Sequence, residues 1–173
     1  MTNPTPHRLV PGQPVDLSSL PTAGEGDRKA FETELDSLRD QLAKWQTALY
    51  AEGRRSLLVV FQAMDAGGKD GTIRKVFRGI NPQGTRVASF KNPSELERQH
   101  DFLWRIHKQV PASGMISIFN RSHYEDVLVV RVDRIVPEST WRPRFEQINN
   151  LSLIHISEPT RPRLISYAVF CLK

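Results

Sequence analysis

The stretch from Ala63 to Lys75 reads AMDAGGKDGTIRK, and its residue types suit the holding of phosphate. Gly67, Gly68 and Gly71 carry no side chain to keep an anion away from the backbone, and Lys69 places a cation among them. Thr72 and Arg74 are expected in the first turn of the following helix, where free N–H groups and the helix dipole favour negative charge. Asp65 and Asp70 would repel phosphate unless a cation lay between them, and Mg²⁺, which binds through one or two carboxylates plus phosphate oxygens, is the natural mediator. The common phosphate loop has a Gly, four residues, then Gly-Lys-Ser/Thr; here Ala63 stands at the first Gly and Asp70 at the Ser/Thr. A plain Gly-rich turn between strand and helix is the competing reading.

A second polar cluster, IFNRSHYED, contributes Asn120, Arg121, Ser122 and Asp126 at the expected carboxyl end of a strand, where α/β sheets bind ligands. Arg121 has the fork geometry to grip phosphoryl oxygens in pairs, whereas the structural alternative is a polar helix start capped by Ser122. His100, His107 and His123 lack the spacing of a zinc site and are read as surface or partly packed. Trp104 and Trp141 are assigned to packing in preference to base stacking, and Arg98, Arg105 and Lys108 suit a solvated helix face.

These clusters need elements to position them. Residues 1–26, rich in Pro, Gly, Ser and Thr, read as an irregular arm. From Asp27, the residues Phe31, Leu35, Leu38, Leu42, Trp45 and Leu49 recur at alternating steps of four and three, which predicts a long helix lying on its own core, with a coiled-coil partner as the alternative. Gly53 closes that helix, and the apolar run from Ser56 to Phe61 suits a strand buried on both faces. TIRKVFRGI then predicts a helix with Ile73, Val76, Phe77 and Ile80 inward.

TRVASF is a second strand, and NPSELERQHDFLWRIHKQV a helix capped by Ser94 with Leu96, Phe102, Leu103, Ile106 and Val110 inward. SGMISIFN is a third strand leading into another helix. Strands alternating with helices predict an α/β domain with a parallel sheet.

The totals are compatible with one domain: 173 residues, 39% hydrophobic. A net charge of +5 and a pI near 9.7 make a polyanionic ligand reasonable without choosing among nucleotide, phosphate polymer and nucleic acid. Cys171 is the only cysteine, which excludes an internal disulfide framework. With no apolar span of membrane length and no apolar signal core, the expected setting is cytoplasmic, without a membrane partner.

LLVVFQAMDAGGKDGTIRKVFRGINPQG, FKNPSE, HDFLWRIHKQVP and GMISIFNRSHYEDVLVVRV together resemble the polyphosphate kinase 2 family, over about Phe31 to Asn150. The resemblance implies a P-loop kinase-like fold, a parallel sheet flanked by helices, and Mg²⁺-dependent transfer of the terminal phosphate of inorganic polyphosphate to AMP or ADP, or the reverse. It makes Gly67 to Thr72 the phosphate loop, Lys69 its cation and Asp65 and Asp70 the metal carboxylates, and it puts Asn120-Arg121 at the Walker B position. Many members carry Asp where this chain has Asn120, and NRSHYED resembles the subgroup that accepts both AMP and ADP. Lys91 and Arg105 fall in segments that would face the acceptor nucleotide. In-line transfer without a covalent protein intermediate is implied, with polyphosphate and AMP, ADP or ATP as partners, no nucleic acid, and homo-oligomers for the full-length form. An ATP-dependent small-molecule kinase and a polyanion-binding module without turnover are the alternatives.

The family's pattern stops after Asn150. Residues 151–173, LSLIHISEPTRPRLISYAVFCLK, read as the in-frame translation of a sequencing-library adapter, leaving 27–150 as a partial kinase domain without its arginine-bearing lid and at least one core strand. Setting aside Arg161, Arg163, Lys173 and Glu158 takes 24 basic and 19 acidic residues to 21 and 18, a net +3, and removes the cysteine. Such a chain is expected to expose a sheet edge and to be unstable or to aggregate.

Overall fold

A computed structural model describes residues 16, 18, 26–156 and 165–171, the side chains of 152–156 and 165–171 excepted. The irregular arm expected over 1–26 therefore lies almost wholly outside the described residues.

The chain runs α1 (Arg28–Glu52), β1 (Ser56–Gln62), α2 (Lys69–Val76), a 3₁₀ turn at Pro82–Gly84, β2 (Thr85–Ser89), α3 (Glu95–Arg98), α4 (Trp104–His107), β3 (Ile116–Asn120), α5 (Glu125–Val132), α6 (Glu138–Trp141), α7 (Arg144–Ile156) and β4 (Ile165–Cys171). The strands form one parallel sheet in the order β2-β3-β1-β4, with Phe61 opposite Asn120 and Ser89 opposite Asn120 on its other side. Strands so paired expose side chains on both faces, and both are covered. Leu58, Val60, Phe119 and Ala88 pack with Ile106, Val127 and Ile148 on one face, while Val59, Phe61, Ile116 and Ile118 pack with Ile73, Phe77 and Leu49 on the other. This covering on both sides explains why β1 is a nearly continuous apolar run and why Ser117 within β3 is buried along with its apolar neighbours.

Helix ends follow local chemistry. Asp27 caps α1 by accepting from the Lys29 amide, and Gly53 ends it in the left-handed conformation, φ 63°, with its N–H returning to Leu49. Ser94 caps α3 in a reciprocal box with Glu97, as its position at the head of SELE suggests.

Three expectations are corrected. The predicted helix from Ser94 to Val110 is two four-residue helices, because Asp101 turns the chain by accepting from the Leu103 amide at 2.8 Å. Leu96 is consequently exposed, while Leu103 and Ile106 reach the core. The apolar stripe of α1 does not all turn inward: Leu35, Leu42 and Leu49 are half-buried, Gln46 is the residue fully buried, and Phe31, Leu38 and Trp45 face outward. The helix rolls toward the side that places Gln46 against Gly84, where a Cβ would come within 1.8 Å of the Gln46 amide nitrogen.

β4 falls within the segment read from sequence as adapter translation, and it pairs with β1 from Ser56 opposite Ile165 to Gln62 opposite Cys171. Backbone hydrogen bonding along a free edge is indifferent to side-chain identity, so an extended apolar segment of any origin can occupy this position.

Candidate functional site

An open cleft of about 520 Å³ lies at the carboxyl ends of β1, β2 and β3. The loop after β1 forms one wall. Ala66 and Gly68 take left-handed conformations, φ 62° and 78°, and the Gly67 amide turns back to the Met64 carbonyl at 3.1 Å. A side chain at residue 67 would meet Met64 O and Ala63 Cβ at 2.9 Å, which is why the tight turn needs Gly67. The Thr72 amide bonds Gly68 O at 2.9 Å and starts α2, so Gly68 is the N-cap and the helix points its amino end at the cleft.

Lys69, 6% exposed, donates from Nζ to the carbonyls of Ala63 at 3.1 Å and Met64 at 2.9 Å. Its ammonium is thus stored inside the turn it stabilises. The facing wall comes from β3: Asn120 donates to Asp70 at 2.5 Å, and Arg121 pairs with Asp65. Arg121 takes a left-handed φ of 62°, and its amide bonds Phe61 O at 2.9 Å, so backbone pairing with β1 aims the guanidinium back across the cleft. β2 supplies the third wall through Ser89, Phe90, Lys91 and Asn92, with the Phe90 amide bonded to Asn120 O at 3.0 Å.

Six of the residues singled out from sequence line one space: Asp65, Lys69, Asp70, Lys91, Asn120 and Arg121. Gly67, Gly68, Gly71 and Thr72 build the loop and helix start behind that lining. Arg74 lies elsewhere: α2 begins at Lys69, so Arg74 falls in its last turn, exposed and outside the cleft lining.

Arg105, Ser122 and Asp126 sit beneath the cleft and do not line it. Arg105 is buried, donating to Lys91 O at 2.8 Å and to Asp126 at 3.2 Å, with its guanidinium over the Phe90 ring at 5.6 Å. Burial raises the Asp126 pKa above the ordinary carboxylate range, opposed by the Arg105 charge and hydrogen bond. Ser122, wholly buried, accepts from the Tyr124 amide at 3.2 Å and so shapes the turn into α5. His123, read from sequence as surface or partly packed, is buried, and desolvation lowers its pKa to about 4.

Ser89 and Asn92 were not among the residues singled out. The rule that ligands bind outside the carboxyl ends of parallel strands would have found them, once TRVASF was accepted as a strand. Two carboxylates, Asp65 and Asp70, line the cleft, a donor set that suits an ion taking most of its ligands from phosphate and water; among the described residues no group of three or more His, Cys, Asp or Glu could hold a metal ion by itself. Among the described residues no helix is long and apolar enough to cross a membrane.

A family model described as Polyphosphate kinase 2 matches residues 25–161. Over 139 residues the chain is 54% identical to a Meiothermus ruber protein named AMP/ADP-polyphosphate phosphotransferase, covering 80% of this chain and 52% of that one. A Rhodopseudomonas palustris protein named ADP-polyphosphate phosphotransferase is 46% identical, with 83% and 55% covered. The crystal structure of polyphosphate kinase 2 from Arthrobacter aurescens superposes with a TM-score of 0.83 at 34% identity, over 96% of this chain and 59% of that one. The chain spans about half the length of the curated relatives it matches.

Proposed function

The chain belongs to the polyphosphate kinase 2 family, and from that premise we propose that its cleft belongs to an enzyme transferring the terminal phosphate of polyphosphate to AMP or ADP. The observation that carries the reading is convergence. Lys69 on the loop, Lys91 after β2 and Arg121 after β3 bring three cations to one open space, beside the amino end of α2.

Lys69 is the group assigned to the transferring phosphate. Leaving the Ala63 and Met64 carbonyls for a phosphate oxygen exchanges weak acceptors for a charged one, and Gly67 and Gly68 let the backbone N–H groups close around the same oxygens. Arg121 exchanges Asp65 for phosphoryl oxygens, gripping them with a planar fork that a lysine lacks. Lys91, held at its carbonyl by Arg105, is assigned to the acceptor nucleotide. The remaining residues contribute position: in-line transfer of a phosphoryl group leaves the protein to align donor and acceptor and to neutralise spread charge.

Asp65 and Asp70 would hold Mg²⁺. Asp65, its side chain 85% exposed, is free to turn from Arg121 to an ion, and Asp70 is held at the loop by a neutral amide. Mg²⁺, when bound, supplies charge neutralisation between these carboxylates and phosphate oxygens that would otherwise repel.

The test is ATP formation from polyphosphate and ADP, or ADP formation from AMP, with and without Mg²⁺. Phosphate transfer from polyphosphate supports the reading. Transfer from ATP to a small molecule, with polyphosphate inert, replaces it with another kinase of the same fold. Salt-sensitive polyphosphate binding without transfer leaves this chain a polyanion-binding module.

We also read residues 151–173 as adapter-derived, although the family model's match runs into this segment as far as residue 161. An independent read of the gene past the codon for Asn150, from template prepared without that adapter, tests it.

A further inference from the structure

We propose that Gln62 is a positioning residue for Arg121, acting through Glu125: it fixes the Glu125 carboxylate behind the guanidinium, so that Arg121 keeps its aim into the cleft when Asp65 turns away. The assignment rests on the roles of Arg121 and Asp65 in the proposed phosphate transfer. β1 is apolar from Leu57 to Phe61 and then ends on Gln62, which is only 8% exposed. A buried amide needs partners, and this one has two. Its nitrogen donates to Glu125, and its oxygen accepts from the Ser122 hydroxyl at 3.4 Å. That orientation is forced, because a carboxylate only accepts whereas a hydroxyl can donate.

Glu125 stands in the first turn of α5, four residues after Arg121, with its side chain 17% exposed. Gln62 takes one carboxylate oxygen, and the other faces a terminal nitrogen of Arg121 at 4.0 Å. This separation attracts the guanidinium but is too long for a hydrogen bond. The other terminal nitrogen of Arg121 pairs with Asp65.

Arg121 thus lies between two carboxylates of different freedom. Asp65 is exposed on the loop, whereas Glu125 is fixed by its helix and by Gln62. When Asp65 turns to a metal ion, Glu125 still holds the guanidinium from behind. With one of its oxygens kept by Gln62, Glu125 does not close into the two-oxygen pair that would withdraw Arg121 from phosphate. A neutral amide suits this place. A cation at residue 62 would compete with Arg121 for Glu125, and an apolar side chain would leave a largely buried carboxylate oxygen without its donor.

Arginine side-chain NMR relaxation on the full chain tests the clamp without any ligand, the Arg121 Nε–H signal being assigned by its loss in Arg121→Lys. In Asp65→Ala, where the loop partner is gone, the Arg121 order parameter should stay above about 0.7, and adding Gln62→Leu should bring it below about 0.6. Adding Glu125→Gln instead should do the same, which keeps the test decisive if circular dichroism shows Gln62→Leu unfolded. Titration with inorganic polyphosphate gives the functional reading: Gln62→Leu should weaken binding about tenfold, but no more than about twofold once Arg121→Ala is present. Equal weakening in both backgrounds would make Gln62 a mere support of the fold and overturn the proposal. So would an Arg121 already mobile in Asp65→Ala, or one that stays ordered without Gln62 and without Glu125. An Arg121 whose order depends on Gln62, in a chain that does not bind polyphosphate, would support the clamp and overturn the proposed function instead.

Discussion

Asn120 at the end of β3 donates a hydrogen bond of 2.5 Å to Asp70 in the first turn of α2, joining the two sequence clusters across fifty residues of chain. A neutral amide does this without adding charge to a cleft that already holds two carboxylates. Asn120→Asp should therefore set a third carboxylate against Asp70. The variant is expected to melt several degrees lower in EDTA, about 1 kcal/mol, and to regain that stability as Mg²⁺ is added. Melting curves with and without Mg²⁺ check this, and a variant with no Mg²⁺-dependent recovery would count against Asp70 as a metal ligand.

Lys69→Ala should lower phosphate transfer by ~10²-fold or more, in line with losing one preorganised charged donor. Lys69→Arg should not rescue it, because the ammonium sits in a tight turn of two carbonyls that a planar guanidinium does not fit. Steady-state rates with polyphosphate and ADP are the readout, and substantial activity in either variant would remove Lys69 from the reaction.

Arg105→Ala should destabilise the fold by about 3–5 kcal/mol, because it leaves Asp126 buried without its partner. The double variant Arg105→Ala/Asp126→Ala should be less destabilised than the sum of the two single changes. Denaturant titration measures both, and additivity would mean that the pair is not coupled.

The acid limb of stability should carry the signature of His123. Its folded pKa, about 4, lies below the ordinary 6.5, so the fold binds the neutral ring and the unfolded chain takes up the proton first. This stability is full above pH 6.5 and is lost as pH falls toward 4, by about 3 kcal/mol for one group. Asp126, raised by burial, works oppositely and offsets part of the loss at the acid end. Stability measured from pH 7.5 to 4 should fall, and His123→Phe should flatten that fall; an unchanged slope would refute the assignment.

Native-state hydrogen exchange addresses β4. If its backbone pairs with β1 in solution, amides within 165–171 should be protected at least 100-fold over an unfolded peptide. Unprotected amides would leave the β1 edge open and favour aggregation, as expected for a sheet lacking a strand.

Local chemistry made the order of elements readable before any coordinates. A strand apolar on both faces, glycines at a turn and a lysine at the next helix start are signals carried within about twenty residues, and the structure assembles β1, the loop and α2 from them. The capping Ser94 and the closing Gly53 were legible for the same reason. Tertiary structure alone decided the rest. Which of two apolar rows on α1 turns inward depends on where Gly84 leaves room for Gln46, and both rows have the same period. That Arg105 and Asp126 brace the cleft from beneath, while Lys91 and Arg121 line it, depends on sheet order and register, which bring together segments from β1, β2 and β3. Periodicity records which residues share a side of an element; only packing decides what that side meets.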